Sequence, residues 1–180
     1  MRVIAGTARR INLVAPLGST TRPTSDRAKE ALFSILAADL ADAFFLDLFC
    51  GSGAMGIEAL SRGAAFSVFV DTTKAAIQAV THNLQATKLQ SKATLMQCSA
   101  KDAIQTFDAK GSNFDLIFMD PPYDGNWISD TLALLANTTI LNEGGQIIVE
   151  TETKLPLPEA SGFTLTHQRD YGRTRFLFYA

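Results

Sequence analysis

From Phe44 onward the sequence alternates short apolar runs with segments of helical length, and this alternation limits the fold more than any other feature. The runs are Phe44 to Phe49, Phe66 to Asp71, Ala93 to Cys98, Phe114 to Asp120 and Gln146 to Glu150. Each is short and rich in Val, Ile and Phe, as strands covered on both faces are. Residues 54–62, 73–87, 100–107 and 127–137 lie between or after them and have helical length. Strand, helix, strand repeated in this way predicts a mainly parallel, doubly wound sheet. The end of the chain breaks the pattern: Gly162 to Arg169 and Thr174 to Tyr179, separated by Asp170-Tyr171-Gly172-Arg173, predict two strands joined by a short turn. The expected fold is α/β and Rossmann-like, a mainly parallel seven-stranded sheet with a C-terminal antiparallel pair and a short N-terminal extension.

That extension has its own pattern. Ala28, Ala31, Leu32, Ile35 and Leu36 fall on one face of an amphipathic helix. Pro23-Thr24-Ser25-Asp26 begins it, with a hydroxyl to cap and an acid near the positive end of the helix dipole. The first 30 residues carry Arg2, Arg9, Arg10, Arg22, Arg27 and Lys29 against Asp26 and Glu30, in a chain whose net charge is -2. A basic arm on an acidic body is the asymmetry that a local polyanion contact needs. At 180 residues the chain fits one compact domain, residues 1–41 forming the basic arm and helix and 42–180 the core. Two cysteines, Cys50 and Cys98, exclude a disulfide framework and a cysteine-based metal site. No stretch has the uncharged length of a membrane span, and the start lacks a long apolar leader, so the expected compartment is the cytoplasm.

The segment Asp47-Leu48-Phe49-Cys50-Gly51-Ser52-Gly53-Ala54-Met55-Gly56 follows the first strand and opens a helix. Gly51, Gly53 and Gly56 spell G-x-G-x-x-G, which brings backbone close to a ligand at the carboxyl edge of a sheet. A nicotinamide-dependent oxidoreductase uses the same spelling, with an acid about 20 positions on. Asp71 stands at that distance, where it can bond the ribose hydroxyls of either cofactor. Asp47 favours S-adenosylmethionine: a carboxylate just before the loop suits a positively charged amino-acid end and repels a pyrophosphate.

A second motif discriminates further. The run Phe114 to Met119 leads into Asp120-Pro121-Pro122-Tyr123. Two prolines fix the backbone and remove two amide donors, so the turn is rigid and presents acceptors. An exocyclic base amine is a weak nucleophile because its lone pair is delocalised into the ring. Acceptors on its N–H groups, Asp120 and the Pro121 carbonyl, bias the nitrogen toward attack, and Tyr123 offers a face for base stacking. The expected catalytic segment is therefore Asp120, Pro121, Pro122 and Tyr123, within a class I S-adenosylmethionine-dependent methyltransferase. His82 and His167 share no ligand spacing with each other or with cysteine, and no metal is expected. Trp127 is a candidate cover for the site or part of the helix core.

With these residues in view, the chain resembles the RsmD family of bacterial 16S rRNA guanine-N2 methyltransferases. The likeness lies in Met1-Arg2-Val3-Ile4-Ala5-Gly6, Arg22-Pro23-Thr24 with Asp26-Arg27, and Glu30-Ala31-Leu32-Phe33. It continues through Asp47 to Gly53, Gly56 to Ala64, Asp120 to Tyr123, and Tyr171-Gly172 with Thr174. The resemblance implies a cofactor site at Asp47, Phe49, Gly51, Gly53, Asp71, Ser99 and Ala100. It implies a hold on small-subunit rRNA, free or in an assembling ribosomal particle, through Arg10, Arg22 and Thr24, by a protein expected to be a monomer. Asp71 stands where the family usually carries glutamate, and Arg9 to Leu13 is less basic than the family pattern. The alternatives are methylation of adenine N6 or another amine, and a non-catalytic RNA-binding assembly protein that has kept the fold.

Overall fold

The computed structural model describes residues 1–18, 24–123 and 125–180. Its elements are α1 (Asp26–Ile35), β1 (Phe44–Asp47), α2 (Ala54–Ser61), β2 (Phe66–Asp71), α3 (Lys74–Thr87), β3 (Ala93–Gln97), α4 (Ala100–Lys110), β4 (Phe114–Met119), α5 (Trp127–Leu135), β5 (Leu141–Glu152), β6 (Leu165–Tyr171) and β7 (Thr174–Tyr179). One seven-stranded sheet has the order β3-β2-β1-β4-β5-β7-β6. The first five of these strands run parallel, and β7 pairs antiparallel with both β5 and β6. This is the expected architecture.

Period-two alternation divides the core in two. Phe45, Phe69, Phe118, Ile148 and Phe178 pack on the face covered by α1, α2 and α3. Leu46, Val70, Ile117, Val149 and Leu177 pack on the face covered by α4 and α5. Strands buried on both faces lose the polar alternation of a half-exposed sheet, which is why they stand out in the sequence as unbroken apolar runs.

Three boundaries differ from expectation. β1 ends at Asp47, because the chain then turns into the glycine loop. β5 begins at Leu141 and not Gln146, since Asn142 to Gly145 supplies no apolar signal and the β4–β5 register shifts between Phe114 and Leu116. The β6–β7 turn is only Gly172-Arg173, Tyr171 already pairing with Thr174.

The N-terminal arm is folded onto the core. Val3 N donates to Ile11 O at 2.9 Å and Leu13 N to Met1 O at 3.0 Å, closing a small antiparallel loop. Its anchor is Glu58 on α2, which is fully buried. The Glu58 carboxylate accepts from Ile4 N (2.8 Å), Ala5 N (3.0 Å) and Arg62 Nε (2.8 Å), with Lys29 Nζ at 3.3 Å. Burial pulls the Lys29 ammonium below its ordinary value, opposed by the Glu58 charge. The buried face of α1 is consequently turned toward Lys29 and Phe33, leaving Ala31 and Ile35 half-buried. Ser25 caps the helix, its Oγ accepting from Ala28 N at 3.1 Å.

The basic arm is thereby partly spent on structure. Lys29 serves Glu58, and Arg2 pairs with Asp26 at 3.0 Å. Among the described residues Arg9, Arg10 and Arg27 are the arm cations that form no ion pair. Among the described residues no helix is long and apolar enough to cross a membrane.

Candidate active site

Parallel strands aim their carboxyl ends at one edge, and there a cleft of about 1870 Å³ opens. Typical small-molecule sites are roughly 300–1,000 Å³, so this cleft can take a nucleoside-sized cofactor and a second flat group together. A shallower hollow of about 330 Å³ lies at the opposite edge. Its Asp115 carboxylate is already taken by Phe44 N (2.8 Å) and Asn142 Nδ2 (2.7 Å).

Along the cleft, the first half is built from the glycine loop. Gly51 (φ +50°) and Gly53 (φ +74°) hold left-handed conformations that carry the chain from β1 into α2. Gly56 is needed for a different reason, since a Cβ there would lie 2.3 Å from the Phe69 ring and 2.6 Å from Ser67 Oγ. The third glycine thus lets helix and sheet approach, while the first two shape the loop. Asn83 braces it, donating to Ser52 O at 2.8 Å and to Val14 O at 2.9 Å.

Asp71, at the end of β2, accepts from Gly51 N at 3.1 Å through one oxygen, and from Thr73 N and Oγ1, each at 2.9 Å, through the other. It locks the loop as well as lining the cleft. Asp47 is buried; one oxygen accepts from Gly56 N at 3.3 Å and the other, Oδ1, has no partner. Burial, opposed by the Gly56 amide and reinforced by the charges of Asp120 and Asp71, pushes its carboxyl up to about 8. Phe49, Ser99 and Ala100 also line the cleft. Ser99 Oγ is committed as the cap of α4, accepting from Asp102 N at 3.1 Å. That leaves the Ala100 amide, in the first turn, without an intrahelical partner.

The second half is the turn after β4. Asp120, Pro121, Pro122 and Tyr123 all line the cleft, with Pro121 buried and Tyr123 exposed. Tyr123 donates a long 3.4 Å bond from its hydroxyl to Asp120 Oδ1. Burial pushes the Asp120 carboxyl up to about 7, and the Tyr123 hydroxyl opposes that shift. Trp127 is half exposed and also lines the cleft, so it belongs to the site and not to the helix core.

Sequence reasoning missed Glu150. It is 3% exposed, lines the cleft, and accepts from Thr24 Oγ1 at 2.7 Å. Burial and the nearby Asp120 hold its carboxyl well above the ordinary range. The signal for it was positional: Asp71, Asp120 and Glu150 each close an apolar run, and Asp47 lies within one just before the glycine loop.

The structure distributes the expected RNA contacts unevenly. Thr24 is in the cleft, but Arg10 lies on the exposed turn of the arm (φ +72°) and does not line it. Arg22 lies outside the described residues. Among the described residues, the cations at the cleft other than the buried Lys29 are Arg27, Lys101 and Arg173. These were not singled out, because they come from α1, α4 and the β6–β7 turn, which only the folded sheet brings together. His167 stacks on Phe178 with centroids 4.2 Å apart, as a structural residue does.

A doubly wound sheet ending in an antiparallel pair, with a glycine loop and an acidic Pro-Pro-aromatic turn opening on one cleft, defines the Rossmann-like methyltransferase class. Family comparison agrees: the family described as "Conserved hypothetical protein 95" matches residues 1–180, and the chain belongs to it. The chain is 33% identical to Ribosomal RNA small subunit methyltransferase D of Escherichia coli K12, over 99% of this chain and 89% of that one. The same protein of Haemophilus influenzae is 33% identical, over 99% and 93%. Among solved structures, a hypothetical protein of Thermus thermophilus superposes with a TM-score of 0.86 at 28% identity, covering 99% of this chain and 98% of that one.

Proposed function

We propose that this chain transfers a methyl group from S-adenosylmethionine to the exocyclic N2 of a guanine in small-subunit 16S rRNA. The observation that carries the reading is the placement of the Asp120–Tyr123 turn and of Asp47 to Ser52 on one cleft. The curated relatives of 33% identity, named as small-subunit rRNA methyltransferases, support the substrate class.

The residues present fit the cofactor. Asp47 Oδ1 is a buried carboxyl oxygen with no partner, whose ionised form a cationic amino-acid end would favour and a pyrophosphate would oppose. Space around Gly51 is open, so its backbone can meet a ligand. Asp47, Phe49, Gly51 and Gly53 would hold the amino-acid part, Asp71 the ribose, and Ser99-Ala100 the base. When bound, S-adenosylmethionine supplies a methyl group already activated by its sulfonium. The chain's part is alignment. Asp120 and the Pro121 carbonyl accept from the amine hydrogens and turn its lone pair, Tyr123 stacks on the base, and Asp120 takes the proton that the amine releases. A paired guanine has to leave its stack to reach this turn. Thr24 steadies the acidic end of the cleft, while Arg27 and Arg173 at the cleft, Arg10 on the turn of the arm, and Arg22 hold phosphates. The protein acts as a monomer in the cytoplasm, on free rRNA or an assembling particle.

The test is transfer of tritiated methyl to small-subunit rRNA, free and in particles, followed by nucleoside analysis. Label in N2-methylguanosine supports the reading. Label in N6-methyladenosine replaces the target base, and no label with the cofactor bound favours the binding-only alternative.

A further inference from the structure

β4 and β5 are parallel neighbours, with Met119 opposite Val149, so Asp120 and Glu150 are the next residues on each strand path. Asp47 pairs with Phe118, and Phe118 with Ile148. Because side chains alternate along a strand, Asp47, Asp120 and Glu150 project from one face of three adjacent strands. Among the described residues none of the three forms an ion pair with Lys, Arg or His. A buried carboxyl without a cation is costly unless hydrogen-bond donors reach it.

Glu150 is nevertheless held in a defined orientation. Thr24 Oγ1 donates to its Oε2 at 2.7 Å. When ionised, a carboxylate has about four acceptor positions, so the Thr24 hydroxyl leaves capacity facing the cleft. What arrives there has to bring donors. The Watson–Crick edge of guanine brings the N1–H beside the N2 amine, whereas adenine places a bare N1 lone pair beside its amine.

We propose that Glu150 is the residue that selects guanine, accepting from N1–H while Asp120 and the Pro121 carbonyl take the N2 hydrogens, with Thr24 fixing the Glu150 carboxyl. This inference rests on the guanine-N2 reading and adds to it the group that reads the base. Glu150 is a specificity-determining residue at the base edge, distinct from the turn that orients the amine.

The experiment uses the whole protein and small-subunit RNA carrying, at the methylated position, either guanine or 2-aminopurine. The analogue keeps the amine but has a lone pair in place of N1–H. Wild type is expected to prefer guanine by roughly ten- to a hundredfold in kcat/KM, the usual worth of one well-placed base contact. Glu150→Gln carries an amide that can donate to the lone pair, and should narrow the preference to within about threefold. Glu150→Asp keeps an acceptor and should lower the rate while retaining the preference, which keeps the proposal testable if the glutamine variant fails to fold. Equal loss on both substrates in Glu150→Gln, the preference unchanged, would overturn the proposal, as would a wild type indifferent to the analogue. Wild-type label on adenine would instead overturn the guanine reading beneath it.

Discussion

Asp71 closes β2 and Glu150 lies near the end of β5 in the same sheet, and both line the same cleft, yet their surroundings are opposite. Asp71 is met by two backbone amides and a hydroxyl, all from the loop and helix start beside it. Glu150 is met by the hydroxyl of Thr24, 126 residues away in sequence, in company with Asp120 and the half-satisfied Asp47. The β1–β2 end is organised by local chain geometry, with Asp71 held by three local donors and Asp47 Oδ1 left open beside β4. The β4–β5 end concentrates acceptors faster than donors. A ligand at the first end finds a rigid frame, whereas a group that brings N–H donors is what the second end favours.

If this division holds, the largest effect comes from the turn. Asp120→Ala should lower the single-turnover rate of methyl transfer by about 10²–10⁴-fold, the range of a lost proton acceptor and orienting group; rapid-quench measurement on saturated enzyme checks it. In wild type the same rate should fall as pH drops below about 7, where Asp120 gains its proton. A flat pH–rate profile would leave Asp120 only an orienting part.

Next in size is the packing that supports the loop. Gly56→Ala should destabilise the fold by about 1–3 kcal/mol, because the added methyl meets the Phe69 ring; urea denaturation measures it. Thr24→Val removes the hydroxyl that orients Glu150 and should cost about tenfold in kcat, with cofactor affinity unchanged; steady-state kinetics and equilibrium binding separate the two.

The smallest effect is on stability against pH. Asp47 moves from an ordinary 3.8 to about 8 in the folded state. Below about pH 4 both folded and unfolded chains hold the proton; as pH rises toward about 8 the unfolded chain releases it first, so stability is lost across that window. Asp47→Asn should therefore flatten the decline of the thermal midpoint between about pH 5 and about pH 8 by roughly 2–5 °C per pH unit. A variant whose midpoint follows wild type at every pH would remove Asp47 from the acidic cluster.

Much of this was legible in the sequence, for local reasons. Gly51, Gly53 and Asp120 to Tyr123 are contiguous motifs, and strands covered on both faces announce themselves as apolar runs. The parts that were not legible are long-range. Glu150 acquires meaning only when β5 lies next to β4, and Lys29, counted as an arm charge, is buried against Glu58 on α2. The arm itself has no periodicity to find, since its amides are satisfied by the Glu58 side chain and by its own short antiparallel loop. Arg10 was expected from the family resemblance, and the turn that carries it does not line the cleft.

Equilibrium binding of S-adenosylmethionine to wild type, Asp71→Ala and Asp120→Ala tests the division between the two ends most directly. Asp71→Ala is expected to weaken binding by about tenfold or more, through the lost ribose contacts and the loosened Gly51 amide, while Asp120→Ala stays within about twofold of wild type. Equal weakening in both variants, or wild-type affinity in Asp71→Ala, would contradict that division.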